Sequence, residues 1–144
     1  MYDDVLVPTD GGEQMEIVVE HALDIASQRG ATVHALSVVD DRAFLTLDES
    51  LKTEVDRTLS ETAEMAVAEV ADAADAAGID TVTAVRRGKP ADEIARYADE
   101  ADIDLIVVGA RGIERYEQNM LGSVSKDVVS KAARPVLTVP LDTR

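Results

Sequence analysis

Asp104-Leu105-Ile106-Val107-Val108 runs straight into Gly109-Ala110-Arg111-Gly112. Four consecutive apolar residues between an aspartate and a glycine predict a strand buried on both faces, the pattern of a parallel sheet. Upstream, Gly88-Lys89-Pro90 turns into a helix with Pro90 near its first position, where a missing N–H costs nothing, and with Ile94, Ala95 and Ala98 inward. Downstream, a glycine-bearing segment from Gly109 to Gly122 leads to a helix from Ser123 to about Ala133 and a last strand from Pro135 to Val139.

The first half repeats this alternation. Asp4 to Pro8 reads as a strand ending in Thr9-Asp10-Gly11-Gly12. A helix follows with Met15, Val18, Val19, Ala22, Ile25 and Ala26 on one face, closed by Gly30. Thr32 to Val39 is the second strand, ending in Asp40-Asp41, and a loop through Phe44 and Leu47 precedes a long helix from about Ser50 to Ala77. Its buried stripe is Val55, Leu59, Ala63, Ala66, Val67, Val70 and Ala74; Gly78 closes it and Thr81 to Arg86 forms the third strand. Strands alternating with helices predict an α/β fold: a doubly wound five-stranded parallel sheet with helices on both faces, one domain over residues 1–144.

Composition narrows the chemistry. There is no cysteine among the 144 residues, which excludes disulfides and thiolate metal sites. No apolar run is long enough to span a membrane, and Met1-Tyr2-Asp3-Asp4 does not read as a signal peptide, so a cytoplasmic location is expected. Fourteen Lys and Arg against twenty-nine Asp and Glu leave a net charge of −15, which argues against nucleic-acid binding. Self-repulsion of this size is tolerable where salt screens it, so a halophilic setting with molar salt is expected, the alternative being a merely acidic mesophile protein. The charge is uneven: residues 1–108 carry −17 and residues 109–144 carry +2, which directs the search for an anion site to the last quarter.

In such sheets ligands bind beyond the carboxyl ends of the strands, where chain order reverses. Three loops qualify: Pro8-Thr9-Asp10, the turn after Val38-Val39, and the stretch after the fourth strand. In the last, Gly109 and Gly112 allow close backbone approach, and nine residues on, Gly122-Ser123-Val124-Ser125 stands at a helix start, where free N–H groups and the helix dipole favour phosphate. The alternative is a flexible loop with an ordinary serine cap. Asp10 can hold a ribose hydroxyl or a divalent ion on phosphates, or start the Asp-Gly-Gly turn; its place at the site favours ligand contact.

Gly-2x-Gly-9x-Gly-Ser-Val, followed by a helix and Arg134-Pro135-Val136-Leu137-Thr138-Val139-Pro140, resembles the ATP-binding branch of the universal stress protein family. Val5-Leu6-Val7-Pro8-Thr9-Asp10-Gly11, Ser37-Val38-Val39-Asp40, Gly88-Lys89-Pro90-Ala91 and Asp104 to Gly109 are similar as well, so the resemblance covers the whole chain in order. It implies an adenine nucleotide alpha hydrolase-like sheet ordered 3-2-1-4-5 and ATP, with Mg or Mn on its phosphates as an optional companion. It places Pro8, Thr9 and Asp10 at the adenosine, and Val38 against the adenine through its backbone. Gly109 and Gly112 take the ribose and first phosphates; Gly122, Ser123, Val124 and Ser125 cradle the rest. Arg111 is read equally as a phosphate partner or a solvated arginine. Gly12 departs from the family, which usually has serine there, and is the weaker helix cap. The resemblance also favours a homodimer through antiparallel pairing of Val136 to Val139.

The implied function is an ATP-binding stress-response regulator whose nucleotide occupancy is the signal. No residue of the phosphate segment is an obvious base, so hydrolysis is at most slow. The alternatives are a nucleotide-free dimeric interaction module and an ATP pyrophosphatase-type adenylating enzyme. The second needs Ser-Gly-Gly-x-Asp-Ser where this chain has Thr9-Asp10-Gly11-Gly12-Glu13-Gln14. His21 and His34 read as structural, the acids of the long helix (Glu54, Asp56, Glu61, Glu64, Glu69, Asp72, Asp75) as a solvated face, and Met15, Met65 and Met120 as core or rim filler.

The charge makes a prediction. The Debye length falls from about 30 Å at 0.01 M salt to about 3 Å at 1 M. The thermal midpoint followed by circular dichroism should therefore rise steadily with KCl across that range; a flat midpoint would remove the support for a halophilic setting.

Overall fold

Each strand offers apolar residues to both of its faces, so the sheet must be covered twice. The computed structural model describes residues 1–110 and 120–141. Its strands are β1 (Asp4–Pro8), β2 (Thr32–Asp40), β3 (Thr81–Gly88), β4 (Leu105–Ala110) and β5 (Val136–Pro140). They form one parallel sheet in the order 3-2-1-4-5, as the resemblance implies. Among the described residues four helices cover it: α1 (Met15–Arg29), α2 (Glu49–Ala76), α3 (Pro90–Glu100) and α4 (Met120–Lys131).

Strand side chains alternate between faces. Val5, Val7, Val33, Ala35, Leu105 and Val107 face α1 and α2, packing on Val18, Ala22, Val67 and Val70. Leu6, Leu36, Ile106 and Val108 face α3 and α4, packing on Ile94, Tyr97, Ala98 and Val128. The chain thus winds from β1 to β3 over one face and from β4 to β5 over the other.

Several local expectations shift. β3 continues to Gly88, β4 to Ala110 and β5 to Pro140, each past its expected end. A 3-10 turn, Asp41–Phe44, occupies the expected loop; the Asp40 carboxylate accepts from the Arg42 amide and opens it. The Arg42 guanidinium, hydrogen-bonded to the same carboxylate, holds the Asp40 carboxyl below its usual range. α2 buries Ala63, Ala66, Val67, Val70 and Ala74, whereas Val55 and Leu59 are half-buried. Twenty-eight helical residues reach about 42 Å, further than an eight- or nine-residue strand, so the first turns overhang the sheet. Met65 lies off that stripe and is 65% exposed, not core or rim filler. Asp56 is also not simply solvated, since it pairs with Arg87.

Charge fastens α3 to the end of α4 and to the turn before β5. Lys131 reaches Asp92 at 2.6 Å and Arg134 reaches Asp99 at 3.1 Å. The Lys131 hydrogen bond holds the Asp92 carboxyl below its ordinary range. Two cations of the basic last quarter are thus engaged by carboxylates of α3.

His34 is structural, as its sequence position suggests, but it does have a carboxylate partner, brought by strand register rather than by spacing. Its Nε2 lies 2.9 Å from Asp4 Oδ1 and its Nδ1 2.7 Å from the Tyr97 hydroxyl. The Arg86 guanidinium covers the Tyr97 ring at 5.0 Å, and burial raises the tyrosine pKa. Tyr97→Phe removes one partner of a buried imidazole, at a cost of about 1–3 kcal/mol. Guanidinium unfolding in molar KCl should show that loss; an unchanged midpoint would mean the bond contributes nothing.

Candidate functional site

The site begins where the sheet comes apart. β1 pairs with β2 over five residues, Asp4↔Thr32 to Pro8↔Leu36, but with β4 over only two, Val5↔Leu105 and Leu6↔Ile106. Beyond Leu6 the ladder stops, at the switch point where α1, which follows β1, packs on one face and α4, the next described element after β4, packs on the other. Pro8, Thr9 and Asp10 form one lip of this opening, and Gly109 and Ala110 the other.

Val38 supplies a third side through its backbone. The Leu36 carbonyl accepts the Thr9 amide at 2.8 Å, so Leu36 turns its peptide groups toward β1. The Val33 amide donates to the Asp80 carbonyl at 2.9 Å, so Val33 turns its own toward β3. Peptide groups alternate along a strand. The Val38 N–H and C=O therefore point to the β1 side, two residues past the end of the β1–β2 ladder. An N–H beside a C=O matches the acceptor and donor on the edge of a purine base.

The first lip is held by its own side chains. Thr9 is buried, and its hydroxyl oxygen accepts from the Gly11 amide at 3.1 Å. Asp10 Oδ1 accepts from the Gly12 amide at 2.9 Å, so the exposed Asp10 carboxylate does organise the turn. Gly11 has φ +82, a backbone conformation that favours glycine, and a Cβ there would lie a tight 3.1 Å from the Ala66 Cβ of α2. Gly12 is not the cap of α1. The Met15 amide donates to the Gly12 carbonyl and Gln14 holds the cap position, because one further turn of chain precedes the helix.

At the second lip, Gly109 leaves room for its core neighbours. A Cβ there would meet Leu141 Cδ1 at 2.9 Å and Val18 Cγ2 at 3.1 Å. Its carbonyl accepts the hydroxyl of Ser125, which is buried and pins α4 to the end of β4. Val124 is half-buried beside it. α4 begins at Met120, three residues before the expected start, which puts the backbone of Gly122 and Ser123 in its first turn. Arg111 and Gly112 lie outside the described residues. The fold thus gathers Pro8, Thr9, Asp10, Val38 and Gly109 around one opening, with Ser125 connecting α4 to it. The supporting contacts from Ala66, Val18 and Leu141 had no signal in the sequence beyond ordinary core pattern.

A cavity of about 530 Å³ lies on the α1–α2 side of the same loop, lined by Thr9, Gly11, Gly12, Met15, Val70 and others. Glu13, Glu16 and Glu69 also line it, and three carboxylates make it a poor host for phosphate.

The universal stress protein family matches residues 1–140. A universal stress protein of Methanocaldococcus jannaschii is 34% identical over 140 residues, spanning 96% of this chain and 82% of the relative. The solved structure of another protein, MJ0577, superposes with a TM-score of 0.84 at 28% identity, covering 100% of this chain and 99% of that one. A universal stress protein in complex with cAMP has a TM-score of 0.73 at 28% identity, over 96% and 97% of the two chains. One from Archaeoglobus fulgidus in complex with dAMP has a TM-score of 0.58 at 27% identity, over 95% and 97%.

The crowding at Gly109 separates packing from ligand approach. Gly109→Ala should destabilise the protein in the absence of any nucleotide, by about 1–3 kcal/mol for an overpacked core. Guanidinium melts in molar KCl should show it, and parent-like stability would mean Leu141 and Val18 yield freely.

Proposed function

Because the chain belongs to the universal stress protein family, we propose that it binds an adenine nucleotide in the opening between β1 and β4, and that this nucleotide is ATP. The observation that carries the reading is the Val38 peptide facing an opening rimmed by Pro8, Thr9, Asp10 and Gly109. An N–H and a C=O at the end of a strand read the edge of adenine, while the switch point supplies room for ribose. Relatives solved with cAMP and dAMP support the base and sugar end of this assignment.

The phosphates belong to α4. Its first turn includes Gly122, whose N–H is among the four that a helix leaves without an internal acceptor. Ser123, Val124 and Ser125 follow, and Gly112 and Arg111 precede them on the segment leading in. Among the described residues no three His, Asp or Glu side chains gather to hold a metal. Mg or Mn on the phosphates would have the exposed Asp10 carboxylate as its protein ligand. Occupancy, rather than turnover, is the signal in this reading, with hydrolysis slow at most. The partner edge is β5, where Val136 and Leu137 are half-buried and Val136 to Val139 pair antiparallel with a second copy.

Gly122→Val should abolish ATP binding and leave the fold intact, since a β-branched side chain fills the space where phosphate oxygens approach the backbone. Ser123→Ala should cost about one to two powers of ten in affinity, the worth of a hydrogen bond to a charged group. Calorimetric titrations in molar KCl, where the acidic surface is screened, check both; parent-like affinity for Gly122→Val would displace the phosphates from α4. Nucleotide released from freshly purified protein by heating separates this reading from a nucleotide-free module.

A further inference from the structure

Past the last β1–β4 pair, β4 still turns carbonyls toward β1. The Ile106 amide donates to the Pro135 carbonyl at 3.0 Å and the Leu141 amide to the Ala110 carbonyl at 2.9 Å, so the even-numbered residues of β4 turn their peptides toward β5. By alternation Val107 and Gly109 turn theirs toward β1. On the facing strand the Thr9 amide goes to Leu36 of β2, so residues 8 and 10 are the ones that turn toward β4.

Carried forward from Leu6↔Ile106, the ladder would give the Val107 carbonyl the N–H of residue 8 and the Gly109 carbonyl the N–H of residue 10. Residue 8 is proline and has no N–H, so the ladder ends there for want of a donor. The Gly109 carbonyl takes the hydroxyl of Ser125 instead. Ser125 is 3% exposed and belongs to α4, so a helix side chain stands where the N–H of a strand would.

A carbonyl oxygen is the negative end of its peptide dipole, and one aimed into the opening repels phosphate. Engaged by a hydroxyl, it is partly neutralised. The same bond ties α4, whose first turn includes Gly122, to the end of β4. A serine hydroxyl carries one proton, so a Ser125 that donates to Gly109 has none left to donate to a phosphate oxygen.

We propose that Ser125 is a positioning residue: it closes the Gly109 carbonyl and fixes α4 so that the opening accepts the phosphates of a nucleotide, without donating to them itself. The inference rests on the ATP reading and moves the Ser125 hydroxyl from the ligand to the frame that receives it.

Ser125→Ala separates these roles, since alanine keeps the helix and removes only the hydroxyl. In nucleotide-free protein in molar KCl its thermal midpoint should fall below the parent's, because the Gly109 carbonyl loses its donor. Calorimetric titration well below that midpoint should show affinity for ATP down about tenfold, the worth of one hydrogen bond, and affinity for adenosine unchanged. Ser125→Cys, a weaker donor of similar shape, should lie between parent and Ser125→Ala on both measures, and it carries the test if the alanine variant does not fold. A parent-like midpoint overturns the proposal: with an ATP loss the hydroxyl acts on the ligand directly, and without one it does nothing. A lowered midpoint with both affinities unchanged, or both reduced alike, also overturns it, since the bond is then structural only. The parent is titrated first. If it does not bind ATP, the ATP reading fails and this inference with it, an outcome distinct from the others.

Discussion

A parallel sheet that reverses its winding must leave a seam, and in this protein the seam lies between β1 and β4. Hydrogen bonding holds the two strands together for only two residue pairs before their connections are drawn to opposite faces. Everything offered to a ligand depends on that parting. The lip residues are there because strands end there, and the Val38 peptide is left facing the gap because β1 stops short of it. The gap is walled by backbone, so the topology rather than any one side chain sets what faces it.

The two glycine-bearing lips are built on different grounds. Gly11 meets α2 through Ala66 and adopts a backbone conformation closed to most residues. Gly109 has no such conformation; its missing Cβ leaves space for Leu141 and Val18. Glycine at the candidate ligand site is thus accounted for here first by the core underneath. Ser125 is similar, since its hydroxyl joins α4 to the Gly109 carbonyl. The ligand surface and the hydrophobic interior are the same layer of atoms seen from two sides.

Much of this was legible from residue pattern. Runs such as Leu105 to Val108 and Val5 to Pro8 announce strands through continuous apolarity, and the stripe of α1 announces its inward face by period alone. Sheet order did not come from pattern; it came with the resemblance, because nothing local in β4 records that it lies beside β1. Overhang was equally invisible: Val55 and Leu59 obey the same periodicity as Val67, and only the length of β2 and β3 decides that they lie past the sheet. Asp4 and His34 are thirty residues apart, and their meeting is a matter of register. The site was legible as loops, while the reasons for its glycines, in Ala66, Val18 and Leu141, were not, since each of those reads as ordinary core.

The contact between Gly11 and Ala66 gives α2 a mechanical role. A Cβ at position 11 would stand 3.1 Å from the Ala66 Cβ, near the middle of a helix of 28 residues. Helices of this length, about 42 Å, behave as stiff rods on the scale of a small domain. A side chain at position 11 would press on the helix at Ala66, so the turn and the middle of α2 limit how closely each approaches the other.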